Sequence, residues 1–305
     1  MSAAVSSQAV RRGHRSRLTA GSTRAGAAFA GPLAVVVLVF FVVPIGLVLF
    51  MSGNDWGLLG GNKGWNFPEN YTEVVANRMF WPAVGFTLKY TVIATVLLIV
   101  IGLGLALLVQ ESSRWKGFLR TTILLPAATG LASASLLFYA LYSPQVGPFS
   151  DFLESIGIAS ILGSPEGALW ATVFLIVWRF SGFYMLLLLV GLQAIPEDVY
   201  EAARIDGAST WQAFLRITLP LLRPSLGLSI IMCVTGSLLA FDQFYILTKG
   251  GPDGSTMTVV QLIYNLAFES KRSLGLAAAL SVITLLALVA INVLQLRALR
   301  GADDE

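Results

Sequence analysis

Residues 196–220, PEDVYEAARIDGASTWQAFLRITLP, form a polar, helix-coded interval between two long apolar runs. Pro196 suits a first helical turn, where its missing N–H costs no hydrogen bond. Glu197 and Asp198 then fall at the positive end of the helix dipole. Helical sequence continues through Glu201, Ala202, Ala203, Arg204 and Ile205. Gly207 can adopt the left-handed backbone that ends a helix. Ser209 opens a second helix, and Gln212 three residues on completes an S-x-x-Q capping box. Pro220 and Pro224 mark the return to an apolar segment. The expectation is two short helices in an L, lying along a membrane surface. The small Ala202–Ala203 pair admits another protein's backbone closely, and Glu201 and Asp206 offer charge to a basic partner. That combination suits docking; a generic amphipathic surface element is the plainer alternative.

The flanking sequence makes the surface a membrane surface. The chain of 305 residues is 56% hydrophobic and only 12% charged, where soluble domains carry about 25% charged residues. Lipid is therefore its main solvent. Six stretches, 28–51, 86–109, 118–142, 169–192, 226–247 and 275–296, reach the roughly 20 residues that cross ~30 Å of hydrocarbon. Pro44 and Pro126 lie within the first and third, as membrane helices allow where neighbours satisfy the freed carbonyl. A Gly, Ala and Ser-rich stretch after Pro126 dilutes the third span. With the N-terminus inside, the cytoplasmic segments hold thirteen Lys and Arg and the outer ones five. The positive-inside rule then places both termini in the cytoplasm of a multi-pass protein.

The chain divides into a flexible basic tail over 1–26, a first span with its outer loop over 27–84, a core of five spans over 85–297 and an acidic tail over 298–305. The core includes the loop at 194–225. A cleaved signal peptide is the rival reading of the N-terminus, but the apolar run 27–51 exceeds the usual length and no A-x-A site follows. Trp56, Trp65 and Trp81 in the first outer loop suit interfacial anchoring, with an extracytoplasmic partner as the second reading. Cys233 is the single cysteine and His14 the single histidine, so a thiolate cluster, a haem and His-based catalysis have almost nothing to build on. No basic face for nucleic acid is visible.

At this point the sequence resembles a known family. Glu201-Ala202-Ala203, Gly207 four residues after the last Ala, and Ile217-Thr218-Leu219-Pro220 match the EAA loop of permeases in binding-protein-dependent ABC importers. Trp178-Arg179, Gly191-Leu192-Gln193-Ala194-Ile195-Pro196 and the run from Phe241 to Pro252 are similar to the carbohydrate-uptake branch, the maltose and glycerol-phosphate importer type. The resemblance covers roughly residues 67–297. It implies an all-α integral membrane fold, the type I importer permease with six transmembrane helices and a cytoplasmic coupling helix. It also implies a bacterial cytoplasmic membrane, a second homologous permease, two copies of an ATPase and an extracytoplasmic solute-binding protein. The chain has no Walker A motif, so ATP and Mg²⁺ belong on the partner ATPase and no cofactor is expected here. Glu201, Ala202, Ala203, Asp206 and Gly207 are the expected coupling residues, with Glu201 in charge contact and Gly207 at the bend.

Charged and aromatic residues within the spans are the remaining candidates. A central Arg costs roughly 3 kcal/mol on the insertion scale, which the fourteen Leu, Ile, Val and Phe of 169–192 outweigh. Arg179 should therefore insert but face protein or water. Pairing with a carboxylate or helix carbonyls is one reading of it, substrate contact another. Asp242 lies nearer the outer end of its span, as a structural, gating or ligand group. Sugars are held by aromatic faces and a few hydrogen-bonding groups, for which Tyr90, Tyr139, Trp178, Tyr184, Gln243, Phe244 and Asn265 are candidates, against ordinary helix packing or interfacial anchoring. Gly250-Gly251-Pro252 reads as a tight turn, and the resemblance implies contact with the binding protein. A sugar or oligosaccharide and a glycerol phosphate or phosphodiester are both open as substrates. A self-sufficient secondary transporter would need repeated titratable or ion sites at mid-membrane, and only Arg179 is central.

Overall fold

The computed structural model describes residues 29–301 except 112, 146, 149–154 and 156–159. The expected tail over 1–26 and residues 302–305 lie outside the described residues. Helix α1 (Phe29–Ser52) is followed by a two-stranded antiparallel hairpin, β1 (Asn54–Gly57) and β2 (Gly61–Trp65), and by α2 (Glu69–Ala76). The long α3 (Phe80–Val109) leads to α4 (Arg114–Leu124) and α5 (Leu131–Tyr142). Then come α6 (Pro165–Gln193), α7 (Glu197–Ile205), α8 (Thr210–Leu221) and α9 (Arg223–Leu238). Short α10 (Asp242–Leu247), α11 (Val259–Glu269) and long α12 (Leu274–Gly301) complete the chain.

Among the described residues four helices, α1, α3, α6 and α12, are long and apolar enough to cross a bilayer unaided. Two bent pairs raise the count to six if each is one span. The third span was expected to be continuous over 118–142. It instead breaks between Ala128 and Leu131 with a bend of 91°. Pro126 sits in a tight 3₁₀ turn, Leu125–Ala128, and Thr129 and Gly130 are extended. The fifth span was expected over 226–247; α9 ends at Leu238 and a separate α10 starts at Asp242. α9 joins α8 through a 66° bend. Pro44 and Pro220 each follow a widened turn, Leu38–Val42 and Phe214–Thr218. A proline ring inside a helix obstructs the preceding turn, and a wide turn relieves the obstruction.

α3 and α6 make the broadest contact of the bundle. With no hydrophobic drive between helices in lipid, close packing supplies the attraction. A Cβ on Gly102 would stand 3.0 Å from the Tyr184 Cβ and 3.2 Å from the Met185 nitrogen. Ala94 and Ala106 on the same helix are fully buried. Around this seam one cluster joins Tyr90, Leu98, Phe138, Leu169, Cys233 and Phe244. A second binds α2, α11 and α12 to the start of α3. α1 is exposed in the isolated chain and touches mainly α12.

The first outer loop, whose tryptophans were read as interfacial anchors or a partner contact, is folded. Asn70 donates through Nδ2 to the carbonyls of Ser52 and Asn54, at 2.9 and 2.8 Å, and accepts from Asn66 at 3.0 Å. The Leu58 amide donates to the Arg272 carbonyl, tying the hairpin to the start of α12. Trp65 and Trp81 are exposed. Asn70→Ala would orphan two carbonyls around a residue that is only 2% exposed. The expected loss is about 1–3 kcal/mol of stability, read as a lower thermal unfolding midpoint of the purified protein.

Candidate functional site: an elbow and a cavity

The elbow is built from local rules. Pro196 caps α7, with Glu197 and Asp198 in its first turn and Arg204 in its last, so charge complements the helix dipole at both ends. Gly207 has φ 75°. At that angle the Ala208 amide reaches back to the Ala203 carbonyl at 2.9 Å and the Gly207 amide to Arg204 at 3.1 Å, the paired closure of a Schellman turn. Ser209 and Gln212 form the expected capping box, with the Gln212 amide donating to Ser209 Oγ and the Ser209 amide to Gln212 Oε1. The second helix is longer than its expected end at 216, continuing to Leu221. Tyr200 and Thr218 hydroxyls, 3.1 Å apart, hold α7 against α8.

Between the two helices lies a cleft of about 530 Å³, lined by Ala202, Ala203, Asp206, Gly207, Gln212 and Arg216 among others. Ala203 is buried in its floor, whereas Glu201, Ala202 and Asp206 are exposed. Ile205 and Trp211 are exposed beside it, at 87% and 66%. An open cleft with small residues within, apolar side chains on its rim and acidic and basic groups together is fit to receive a protuberance of another protein. Ser209→Ala removes one side of the capping box and should cost roughly 1 kcal/mol, read as lower helicity in a synthetic 196–221 peptide.

A second concavity of about 360 Å³ lies within the bundle. Tyr90, Tyr184, Cys233, Ser237, Asp242 and Gln243 line it together with apolar side chains that include Phe180, Phe183 and Phe241. Of the candidates within the spans, it brings together Tyr90, Tyr184, Asp242 and Gln243, whereas Tyr139 on α5 is exposed outside its lining. Gln243 is 3% exposed and donates through Nε2 to the Tyr90 hydroxyl at 3.3 Å, while its Oε1 is buried without a partner. Phe244 is packed in the core, edge-on to Phe86 and Tyr90. Trp178 packs on Phe138, ring centroids 5.2 Å apart. Asn265 stands on α11, outside the cavity lining, with its Nδ2 against Met257.

Arg179 takes the carbonyl option. Its Nε and Nη2 donate to the Thr129 carbonyl at 3.0 and 2.8 Å, in the break between α4 and α5. Its guanidinium also lies 4.2 Å from the Phe180 ring centre. Among the described residues no ion pair joins it to Asp242. The partner was not named from sequence, although the Gly, Ala and Ser-rich stretch after Pro126 was the signal that a helix there is weak.

At the end of the bundle away from the elbow, the Gly251 amide donates to the Thr248 carbonyl at 2.8 Å, the turn expected of Gly250-Gly251-Pro252. The Thr248 and Thr256 hydroxyls lie 2.7 Å apart, and Thr256 donates to the Gly251 carbonyl at 2.7 Å. The turn is thereby fixed to the segment that leads into α11. Gly250 has φ 83°, the left-handed region that favours glycine, while a Cβ there would come closest to the flexible end of Met257, at 2.8 Å.

Comparison with known proteins gives the class to which this bundle of bent spans and its helical elbow belong. Residues 98–300 match the family model described as binding-protein-dependent transport system inner membrane component. The chain is 34% identical to the trehalose/maltose transport system permease protein MalF of Thermococcus litoralis, covering 90% of this chain and 92% of that one. It is 35% identical to the multiple sugar-binding transport system permease protein MsmF of Streptococcus mutans, covering 86% and 91%. A crystal structure of a bacterial ABC transporter importing the acidic polysaccharide alginate contains a chain with the same fold, with a TM-score of 0.81 at 20% identity over 92% of this chain and 96% of that one. The chain belongs to the binding-protein-dependent transport system inner membrane component family.

Proposed function

We propose that this chain is one of two permeases in an ATP-driven importer of a sugar or oligosaccharide, with both termini on the cytoplasmic side. The elbow of α7 and α8 seats on a cytoplasmic ATPase that holds ATP and Mg²⁺, and the turn at Gly250, Gly251 and Pro252 meets a solute-binding protein at the opposite membrane face. Closure of the ATPase pulls the elbow, and rigid-body rotation of the spans switches the access of the cavity. Glu201 supplies charge to the ATPase groove, and Gly207 holds the bend. The observation that carries this reading is the open cleft of Ala202, Ala203, Asp206 and Gly207, in a chain whose relatives bear names of sugar transport systems.

The test is reconstitution with the second permease, the ATPase and the binding protein in proteoliposomes. Ala202→Cys should crosslink to the ATPase and not to the binding protein, and sugar uptake should require ATP inside the vesicle compartment that holds the ATPase. Uptake by this chain without an ATPase, or a crosslink to the binding protein instead, would reject the assignment.

A further inference from the structure

We propose that α4 seats an anionic phospholipid of the cytoplasmic leaflet, with Arg114 on its phosphodiester and Trp115, Phe118 and Leu125 along its acyl chains. The inference takes its orientation from the importer reading and uses none of that reading's partners. Trp115, Phe118 and Thr122 recur at i, i+3 and i+7 of α4, and Leu125 just past its end continues the row. That spacing puts them on one face of the helix. All four are exposed, the three apolar ones at 68%, 60% and 61%. The Trp115 and Phe118 rings stack, with centroids 5.6 Å apart. The opposite face is already occupied, since Leu119 and Ile123 pack into the cluster of Met185, Leu188 and Leu192 on α6.

Height, polarity and charge identify the occupant of the exposed face. Arg120 donates through Nε and Nη2 to the Val109 carbonyl, at 3.0 and 2.6 Å, and through Nη2 to the Gln110 and Glu111 carbonyls. α4 therefore starts level with the end of α3, where that span leaves the hydrocarbon. From Trp115 to Leu125 the helix rises about 15 Å, half of the ~30 Å of hydrocarbon and so the depth of one leaflet. An indole at the headgroup boundary with apolar side chains beneath it follows the polarity profile of a lipid. The Thr121 and Thr122 hydroxyls donate to the Gly117 and Phe118 carbonyls, so neither needs a partner from protein or water. At the cytoplasmic edge, residues 110–120 carry three cations against the single carboxylate of Glu111. Lys116 is held by Glu111 at 2.6 Å, and Arg120 by the carbonyls that end α3. Among the described residues no ion pair reaches Arg114, which is exposed. Basic groups at this surface attract anionic lipid, and a guanidinium matches a phosphate in geometry as well as charge. A zwitterionic headgroup would bring its own cation beside Arg114, whereas an anionic one brings none.

The experiment uses the complex purified through a tag on this chain, reconstituted in vesicles of phosphatidylcholine and phosphatidylglycerol. Either the choline lipid or the glycerol lipid carries brominated acyl chains, which quench a neighbouring indole. The emission lost on Trp115→Phe isolates the Trp115 signal. Identical lipid in both leaflets makes the readout independent of the direction of insertion. Brominated phosphatidylglycerol should quench Trp115 about fivefold more, mole for mole, than brominated phosphatidylcholine, the preference that one surface cation confers. Arg114→Gln should bring the ratio close to one, whereas Lys116→Gln, which loses a cation already paired, should change it less. No quenching of Trp115 by either lipid would give this face to a protein partner and overturn the proposal. Equal quenching by both lipids would overturn it as well. So would equal effects of the two substitutions, which would show diffuse surface charge and no seat. Each of these results leaves the importer reading standing, because that reading fails on sugar uptake and not on lipid contact.

Discussion

Gly207→Val is expected to reduce ATP-driven sugar uptake to about a tenth while membrane insertion and ATP hydrolysis persist. The left-handed backbone at Gly207 has φ 75°, and a side chain in that conformation costs roughly 1–2 kcal/mol, more for a β-branched residue. A penalty of that size shifts the population of the bent elbow about tenfold. A Cβ at Gly207 meets no atom within 4 Å, so the penalty is conformational and not a clash. Relaxation to a right-handed backbone removes it, but then the Ala208–Ala203 and Gly207–Arg204 hydrogen bonds open and α8 points elsewhere. The proposed seat for the ATPase is altered while the spans keep their packing. Gly207→Asn should stay near wild type, because asparagine tolerates the left-handed region. Uptake and ATPase activity in proteoliposomes are the paired measurements, and wild-type uptake by the valine variant would show that the bend carries no coupling.

The elbow was legible in sequence because its rules are local. A proline at the helix start, a glycine at the end and a Ser–Gln box three residues apart act within one or two turns; the glycine and the box stand where expected, and the proline stands one position earlier, as the extended N-cap. Six apolar stretches were legible for the same reason, since span length is set by hydrocarbon thickness. What escaped was set by distant partners. The 91° break in the third span is met by Arg179, fifty residues along the chain, which donates to the Thr129 carbonyl freed there. The hairpin after α1 depends on Asn70 and on the Arg272 carbonyl, and nothing in Asn54–Trp65 announces a strand. Phe244, nominated for a substrate path because aromatics hold sugars, is enclosed by Phe86 and Tyr90. Side-chain chemistry suggests a role, but the neighbours on α3 decide whether the ring faces a cavity or the core.

The bent third span leads to the second large effect: Gly182→Ala should destabilise the bundle by roughly 1–3 kcal/mol, the range for overpacking a tight interior. A Cβ at Gly182 would meet the Ile123 carbonyl oxygen, and would stand 2.9 Å from the Ile123 carbonyl carbon and the Leu124 Cα. All three belong to the backbone of α4, so no side-chain rotation makes room. α4 must move away from α6 as a unit, and it carries Thr129 with it. Arg179 lies three residues before Gly182, on the same helical face, and its two hydrogen bonds to Thr129 hold the far side of the same break. Displacing α4 therefore weakens the Arg179 contact, and the two sites are coupled. Arg179→Met alone should cost about 1.5–3 kcal/mol, the worth of hydrogen bonds to a charged group. The double variant should lose less than the sum of the single losses, because the alanine has already loosened the bond that methionine removes. Thermal unfolding of the purified complex in detergent measures all three variants. Strict additivity would mean that Gly182 and Arg179 act on separate contacts. An alanine variant as stable as wild type would mean that α4 does not press on α6 at Gly182.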